Sequence, residues 1–320
     1  MSPVTRVVAL SGGVGGAKLA LGLAQVLASE ALLIVANTGD DFDHYGLRVC
    51  PDLDSVMYAL AGLNDARRGW GRRDESWGFM AAFGELGGER WFNIGDGDLA
   101  LHVLRSQRLR DGVTLSAITA ELCARLGIAA RLVPMSDDPV ATVVETDAGP
   151  LAFQHYFVRE RCAPPVSGFR FDGSAQARAN PAFLAALAAE DLEAVVITPS
   201  NPFVSIDPIV SLPGVRAALT ACAAPVLAVS PIVAGQAIKG PAAKMFAELG
   251  LPSSAPAVAR HYGDLLDGFI LDRADAAQEK EIAATGVATL VTDTVMRSLA
   301  DRTRLADEAL AFAARLRGSA

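Results

Sequence analysis

Aspartates and glycines at the ends of apolar runs are the residues of this sequence best placed to do chemistry. Five aspartates, Asp40, Asp41, Asp43, Asp52 and Asp54, fall within fifteen residues in "DDFDHYGLRVCPDLD". Carboxylates gathered at a strand end are costly to desolvate without a cation, so the cluster suggests Mg²⁺ or a general base. Asp52 also suits the start of a helix, and Asp54 in its first turn suits the helix dipole. Ahead of this cluster, "TRVVALSGGVGGAK" is an apolar run that breaks into Gly12, Gly13, Gly15 and Gly16 and closes on Lys18. Glycines in that place let a backbone approach a phosphate, whose charge the helix N-terminus stabilises. The spacing is neither GxGxxG nor GxxxxGK[ST], and a tight turn serving only close strand–helix packing fits the same residues.

Four later loops have related chemistry. "NIGDGDLALH" places Asn93, Asp96 and Asp98 in a Gly-rich turn before a helix, with His102 on that helix. "MSDDP" adds Asp137 and Asp138, which turn chemistry explains. "VVITPSNPFVSI" puts Ser200, Asn201 and Ser205 after an apolar run, and "AVSPIVAGQAIKGPAAKM" puts Ser230, Lys239 and Lys244 after the next. Gly240-Pro241 reads as a helix start with proline in the first helical position, which would set Lys239 beside an anion.

Buried parallel strands must hold these loops. Arg6 to Leu10, Ala31 to Ala36, Ala194 to Thr198 and Pro225 to Ser230 are continuous apolar runs, as in strands covered on both faces. Helical stretches alternate with them: Gly16 to Ala28, Asp52 to Ala61, Leu115 to Arg125, Ala182 to Ala189, Gly214 to Cys222 and Thr294 to Arg317. This order predicts an α/β, Rossmann-like, doubly wound and mainly parallel sheet. The polarity of Pro139 to Glu160 alternates around Asp147-Ala148-Gly149, predicting an antiparallel hairpin. The expected organisation is therefore a core of residues 1–135 and 191–320 with a small β-containing excursion at 136–190.

Composition narrows the function classes. A net charge of −8 argues against nucleic acid or an anionic membrane as the main partner. Four scattered cysteines without a CxxC pair, and four histidines without HxxxH or HExxH, argue against zinc. Neither a signal-peptide core nor a membrane-length apolar run is visible, so a cytoplasmic location is expected.

Taken in order, SGGVGGAKL, NTGDDF, PDLDSVMY, IGDGDLALH, PMSDDPV, PSNPFVSI, SPIV and GPAAKM resemble the 2-phospho-L-lactate transferase family, from about residue 7 to residue 297. The resemblance implies a step in making the deazaflavin coenzyme F-420. A guanylated three-carbon acid, of the 2-phospholactyl or enolpyruvyl type, gives its phospho-acid part to the ribityl hydroxyl of the deazaflavin FO, and GMP leaves. It also implies a Rossmann-like core, a requirement for Mg²⁺ and a homodimer. Asp54 and Asn93 match family positions that contact FO, although relatives often carry a basic residue where Asn93 stands. Asp54 and Asp96 are the expected catalytic residues. Asp40, Asp41, Asp54, Asp96 and Asp98 are the candidate metal ligands. Gly12, Gly13, Gly15, Gly16, Lys18, Ser200, Asn201, Ser230 and Lys239 are the candidates for nucleotide and phosphate. Two rival readings are a nucleotide-dependent oxidoreductase, with Asp40 or Asp41 on a ribose, and a nucleotide- or nucleotide-sugar-binding regulatory protein without transferase activity.

Overall fold

The alternating apolar runs do form a parallel sheet. The structure, a computed structural model, describes residues 5–318. Seven strands make the main sheet: β1 (Val7–Ser11), β2 (Leu32–Ala36), β3 (Arg131–Pro134), β4 (Ala194–Ile197), β5 (Val226–Val229), β6 (Gly268–Asp272) and β7 (Ala288–Thr292). They lie in the order β7-β6-β5-β4-β1-β2-β3, and every neighbouring pair is parallel. Side chains alternate between two cores because successive residues of a strand point to opposite faces. Val8 and Leu10 of β1 join the first core, while Val7 and Ala9 join the second. Both faces are covered, which is why these strands read as unbroken apolar runs.

Five helices pack against the second core: α1 (Gly13–Val26), α2 (Pro51–Leu60), α3 (Asp96–Arg110), α4 (Leu115–Arg125) and α5 (Leu299–Arg317). It draws Leu19 and Leu23 from α1, Leu53 and Met57 from α2, Ile118 from α4 and Phe312 from α5. Ser298 starts α5 with a capping box closed by Asp301. Among the described residues no single helix is long and apolar enough to cross a membrane.

Several boundaries differ from expectation for local reasons. Helix α1 begins at Gly13, so Gly13, Gly15 and Gly16 are themselves in its first turns and Lys18 lies further in. Cys50 precedes α2 with Pro51 in the first position, so Asp52 is inside the helix. The helix after Gly240 starts at Ala242, with Pro241 just outside it. The hairpin forms from Ala141–Thr146 and Gly149–Ala152, and Val166–Asp172 adds a third antiparallel strand. This small sheet packs through Val144 and Val166 onto the first core.

The chain runs outward from β1 to β2 and β3, then returns to place β4 on the other side of β1. The order reverses there, and in open α/β sheets ligands bind beyond the carboxyl ends of the strands at such a point.

Candidate functional site

Ser200 joins the two halves of the sheet at this reversal. Its hydroxyl donates to the Gly12 carbonyl (2.8 Å) and accepts from the Gly12 amide (3.1 Å). Thr198 donates to the Leu10 carbonyl at 2.8 Å. Glycine is required for the two loops to come this close. A methyl on Gly15 would overlap the Pro199 carbonyl oxygen, and one on Gly16 would lie 2.6–2.7 Å from three hydroxyl oxygens. The Gly13 amide donates to Asp52 Oδ1 at 2.6 Å. Next in line are the Val14 and Gly15 amides, in the part of a helix that leaves N–H groups without internal partners.

A cavity of about 690 Å³ opens at this point. Gly12, Gly13, Gly15, Lys18, Asp40, Asp52, Asp54, Asn93, Asp98, Ser200, Asn201, Ser230 and Lys239 all line it. Gly16, Asp41 and Asp96 do not. Gly16 is buried against the hydroxyls of Ser11, Thr198 and Ser200. Asp96 accepts from Ser76 Oγ and from the Gly78 and Phe79 amides, so its carboxylate caps the helix Gly78–Glu85. Glu75 returns the arrangement by accepting from the Gly97 and Asp98 amides at the start of α3. Burial pushes Asp41 up to about 8, against the opposing effect of the Cys50 thiol beside it.

The remaining aspartates fall into two groups. Asp40 and Asp52 are both buried and share the Asn37 amide, which lies 3.5 Å from Asp40 Oδ1 and 2.9 Å from Asp52 Oδ2. Burial raises the pKa of Asp40 well above the carboxylate range, and the Asp52 and Asp41 charges add to this. Burial likewise raises Asp52 to about 6 despite bonds from Asn37, Gly13 and Ser205. Two carboxyls that oppose each other's ionisation at a cavity wall are a fitting seat for a cation.

Asp54 heads the second group. The Arg105 guanidinium grips it with two N–H groups, Nη1 to Oδ2 at 3.0 Å and Nη2 to Oδ1. Burial works against the Arg105 charge, yet Asp54 and its neighbours outweigh it and the pKa rises. His102 Nε2 lies 3.5 Å from Asp98 Oδ1, and the Tyr58 hydroxyl donates to that same oxygen. Asp98 is held below the usual carboxylate range by His102 and Tyr58, although burial opposes this. Ligand atoms of Asp54, Asp98 and His102 come within 4.8 Å of one another. With Arg105 already on Asp54 this group carries its own countercharge, so the Asp40–Asp52 pair suits a cation better.

Other lining residues have prior commitments. Asn201 accepts from the Phe203 amide, and the Ser230 hydroxyl is closed onto Ile232. Lys18 donates to the Met296 carbonyl at 3.0 Å, and burial, with Arg302 and Lys239 nearby, lowers its pKa. Lys239 is exposed and reaches the Gly69 carbonyl at 3.2 Å. Tyr58, Trp70, Phe92, Phe153 and Phe157 supply aromatic surface to the cavity. The Phe153 and Phe157 rings stack at 5.5 Å.

Arg105, Gln154 (whose amide reaches Asp40 Oδ2 at 3.3 Å) and the phenylalanine and tryptophan walls lie outside the sequence motifs, and Tyr58 closes PDLDSVMY without being singled out there. One signal was present: Asp98, His102 and Arg105 are spaced by four and three residues, which puts them on one face of α3.

Residues 7–307 match the model of the family described as 2-phospho-L-lactate transferase CofD. A phosphoenolpyruvate transferase from Kitasatospora aureofaciens is 42% identical over 98% of this chain and 99% of its own. One from Streptomyces coelicolor is 41% identical over 98% and 99%. One from Mycolicibacterium smegmatis is 40% identical over 90% and 94%. Among solved structures, a UPF0052-family protein from Bacillus halodurans superposes with a TM-score of 0.64 at 14% identity. That match covers 96% of this chain and 98% of the other. It shows that the fold is shared.

Proposed function

The chain belongs to the 2-phospho-L-lactate transferase CofD family, a family of enzymes of F-420 biosynthesis, and from that premise we propose its reaction. It transfers a phospho-three-carbon-acid group from a guanosine diphosphate conjugate to the ribityl hydroxyl of FO, releasing GMP. The names of its relatives favour the enolpyruvyl donor, and with it dehydro-F-420-0 as product. The observation that carries the reading is one shared cavity. It brings the helix α1 N-terminus, paired buried carboxylates and aromatic walls together at the reversal of strand order. Its volume lies near the middle of the usual range for small-molecule sites, about 300–1,000 Å³.

Each part has a task. The Val14 and Gly15 amides at the start of α1 would face the diphosphate, with Lys18 and Lys239 as nearby positive charge. The aromatic side chains suit a flat tricyclic acceptor. Asp40 and Asp52 would hold Mg²⁺ together with diphosphate oxygens and water, the mixed ligation this ion prefers. When bound, the ion supplies neutralisation of phosphate charge. Asp54 accepts a hydrogen bond from the ribityl hydroxyl and aims its oxygen at the phosphorus. A new P–O bond then forms as the bridging bond to GMP breaks, and the hydroxyl proton is lost towards Asp54 or water. Phosphoryl transfer depends mostly on such positioning and charge stabilisation.

The test is to incubate the protein with FO, Mg²⁺ and guanylated phosphoenolpyruvate or guanylated 2-phospholactate, and to identify products by mass spectrometry. Dehydro-F-420-0 with stoichiometric GMP supports the reading. GDP binding without a product from either donor would return the protein to the regulatory alternative, and NAD binding without FO binding to the oxidoreductase.

A further inference from the structure

Arg105 is fully buried and has no surface in the cavity, yet it controls a residue that does. Both terminal nitrogens of its guanidinium meet both oxygens of Asp54. That fork fixes the plane of the carboxylate, and each oxygen still has a lone pair to offer the cavity. Nη1 also lies 3.4 Å from His102 Nδ1 and 3.4 Å from the Arg48 carbonyl, so the fork is itself held from two further sides. Asp54 is on α2 and Arg105 on α3. The register between these helices therefore sets the direction in which Asp54 presents its free lone pairs.

We infer that Arg105 is a positioning residue for group transfer, acting through Asp54 by fixing the plane of its carboxylate against the acceptor hydroxyl. This rests on the reading of Asp54 as the group that meets the acceptor. A role in stability alone would weaken folding and nucleotide binding together. The positioning role instead lowers the chemical rate, leaves GDP affinity intact, and has no effect once Asp54 has lost its charge.

The experiment compares wild type, Arg105→Lys, Arg105→Gln, Asp54→Asn and the double variant Asp54→Asn/Arg105→Gln. Single-turnover product formation from FO and each of the two donors, guanylated phosphoenolpyruvate and guanylated 2-phospholactate, is measured beside GDP affinity and melting temperature on the same preparations. Arg105→Lys keeps the charge but loses the planar fork. Its rate is expected to fall about tenfold and that of Arg105→Gln about a hundredfold, the scale of a misplaced reacting group. GDP affinity should stay within about twofold of wild type, because the nucleotide is on the other side of the phosphorus. In the Asp54→Asn background, adding Arg105→Gln should change the rate by less than about threefold, the sign of a shared pathway. Arg105→Gln leaves a buried carboxylate unpaired and could fail to fold. Arg105→Lys and the double variant, which removes both charges, then decide. A wild-type rate in folded Arg105→Lys, or an equal fold-loss with and without the Asp54 charge, overturns the inference and leaves the transferase reading standing. A wild-type protein that makes no product from either donor brings down both.

Discussion

Asp52→Asn should stabilise the protein when no divalent cation is present and destabilise it, relative to wild type, when magnesium is added. Asp52 is buried beside Asp40, and burial has raised its pKa to about 6. A carboxyl raised in the fold keeps its proton at pH values where the unfolded chain has already lost it. The resulting penalty is absent below the ordinary value near 4, grows as pH rises, and is complete above about 6. At pH 8 it amounts to about 3 kcal/mol. Asparagine carries no such penalty and still offers an oxygen to the Gly13 amide. Its NH₂ group would face the Asn37 amide, however, and lose a hydrogen bond of about 1 kcal/mol. The net gain is about 2 kcal/mol in EDTA at pH 8, a rise in melting temperature of roughly 4 °C. Magnesium at a thousandfold excess over its Kd adds about 4.1 kcal/mol to the wild type. A variant lacking one of the two carboxylates forgoes most of that, so the order of melting temperatures reverses. Differential scanning calorimetry in EDTA and in MgCl₂ reads both halves. A variant that melts below wild type in EDTA, or keeps the full magnesium shift, refutes the reasoning and leaves Asp52 as a tie between two loops.

Asp54→Asn should lose about a hundredfold or more in turnover while GDP affinity stays within about twofold; near-normal single-turnover rates would show that its carboxylate serves only the ion pair with Arg105. Gly15→Ala places a methyl against the Pro199 carbonyl oxygen, with backbone on both sides. It should destabilise by about 1–3 kcal/mol, seen as a lower melting temperature with weaker GDP binding, and unchanged melting would mean that the contact can relax. Burial, with His155 nearby, lowers the pKa of His44 to about 4. A depressed imidazole stabilises the fold above its ordinary value near 6.5, and that contribution is lost as pH falls through about 4. His44→Gln should therefore lose less stability than wild type between those pH values in circular-dichroism melts. Superimposable pH curves would show that His44 contributes nothing to the acid limb.

The central strands were legible because burial on both faces leaves an unmistakable trace: VVAL, LLIVA and AVVI contain no polar residue. The outer ones were not. Strand β3 has only four residues, opening on Arg131 and ending on Pro134. At the other edge, β7 is mostly half-buried and has two threonines among its five residues. Strand β6 is fully buried, but its ends are Gly268 and Asp272, so its apolar run is brief. The same logic divides the site. Glycines and clustered aspartates mark themselves by type, which brought Gly12, Gly13, Gly15, Asp40 and Asp54 into view. Their partners depend on which helices meet. Arg105 belongs to a helix that also carries Arg108 and Arg110, and only its ion pair with Asp54 of α2 singles it out. Asp52 has the sequence context of a helix-start residue, whereas its oxygens face Asn37 and the Gly13 amide.

The double hydrogen bond between Ser200 and Gly12 has a consequence for how far the chain can be divided. A cut near residue 190 would give one fragment ending in an uncovered β1 and another beginning with an uncovered β4. Both strands are wholly buried in the intact chain. Each would present a row of unpaired amides and carbonyls on an apolar edge, the arrangement that drives self-association. Nor would either fragment hold half of a working site, since the glycine turn is shaped by Pro199 and Ser200 from across the seam. The seam that locates the cavity is thus also the joint that makes the chain indivisible, and co-expressed fragments would recover a nucleotide pocket only by reassembling β1 against β4.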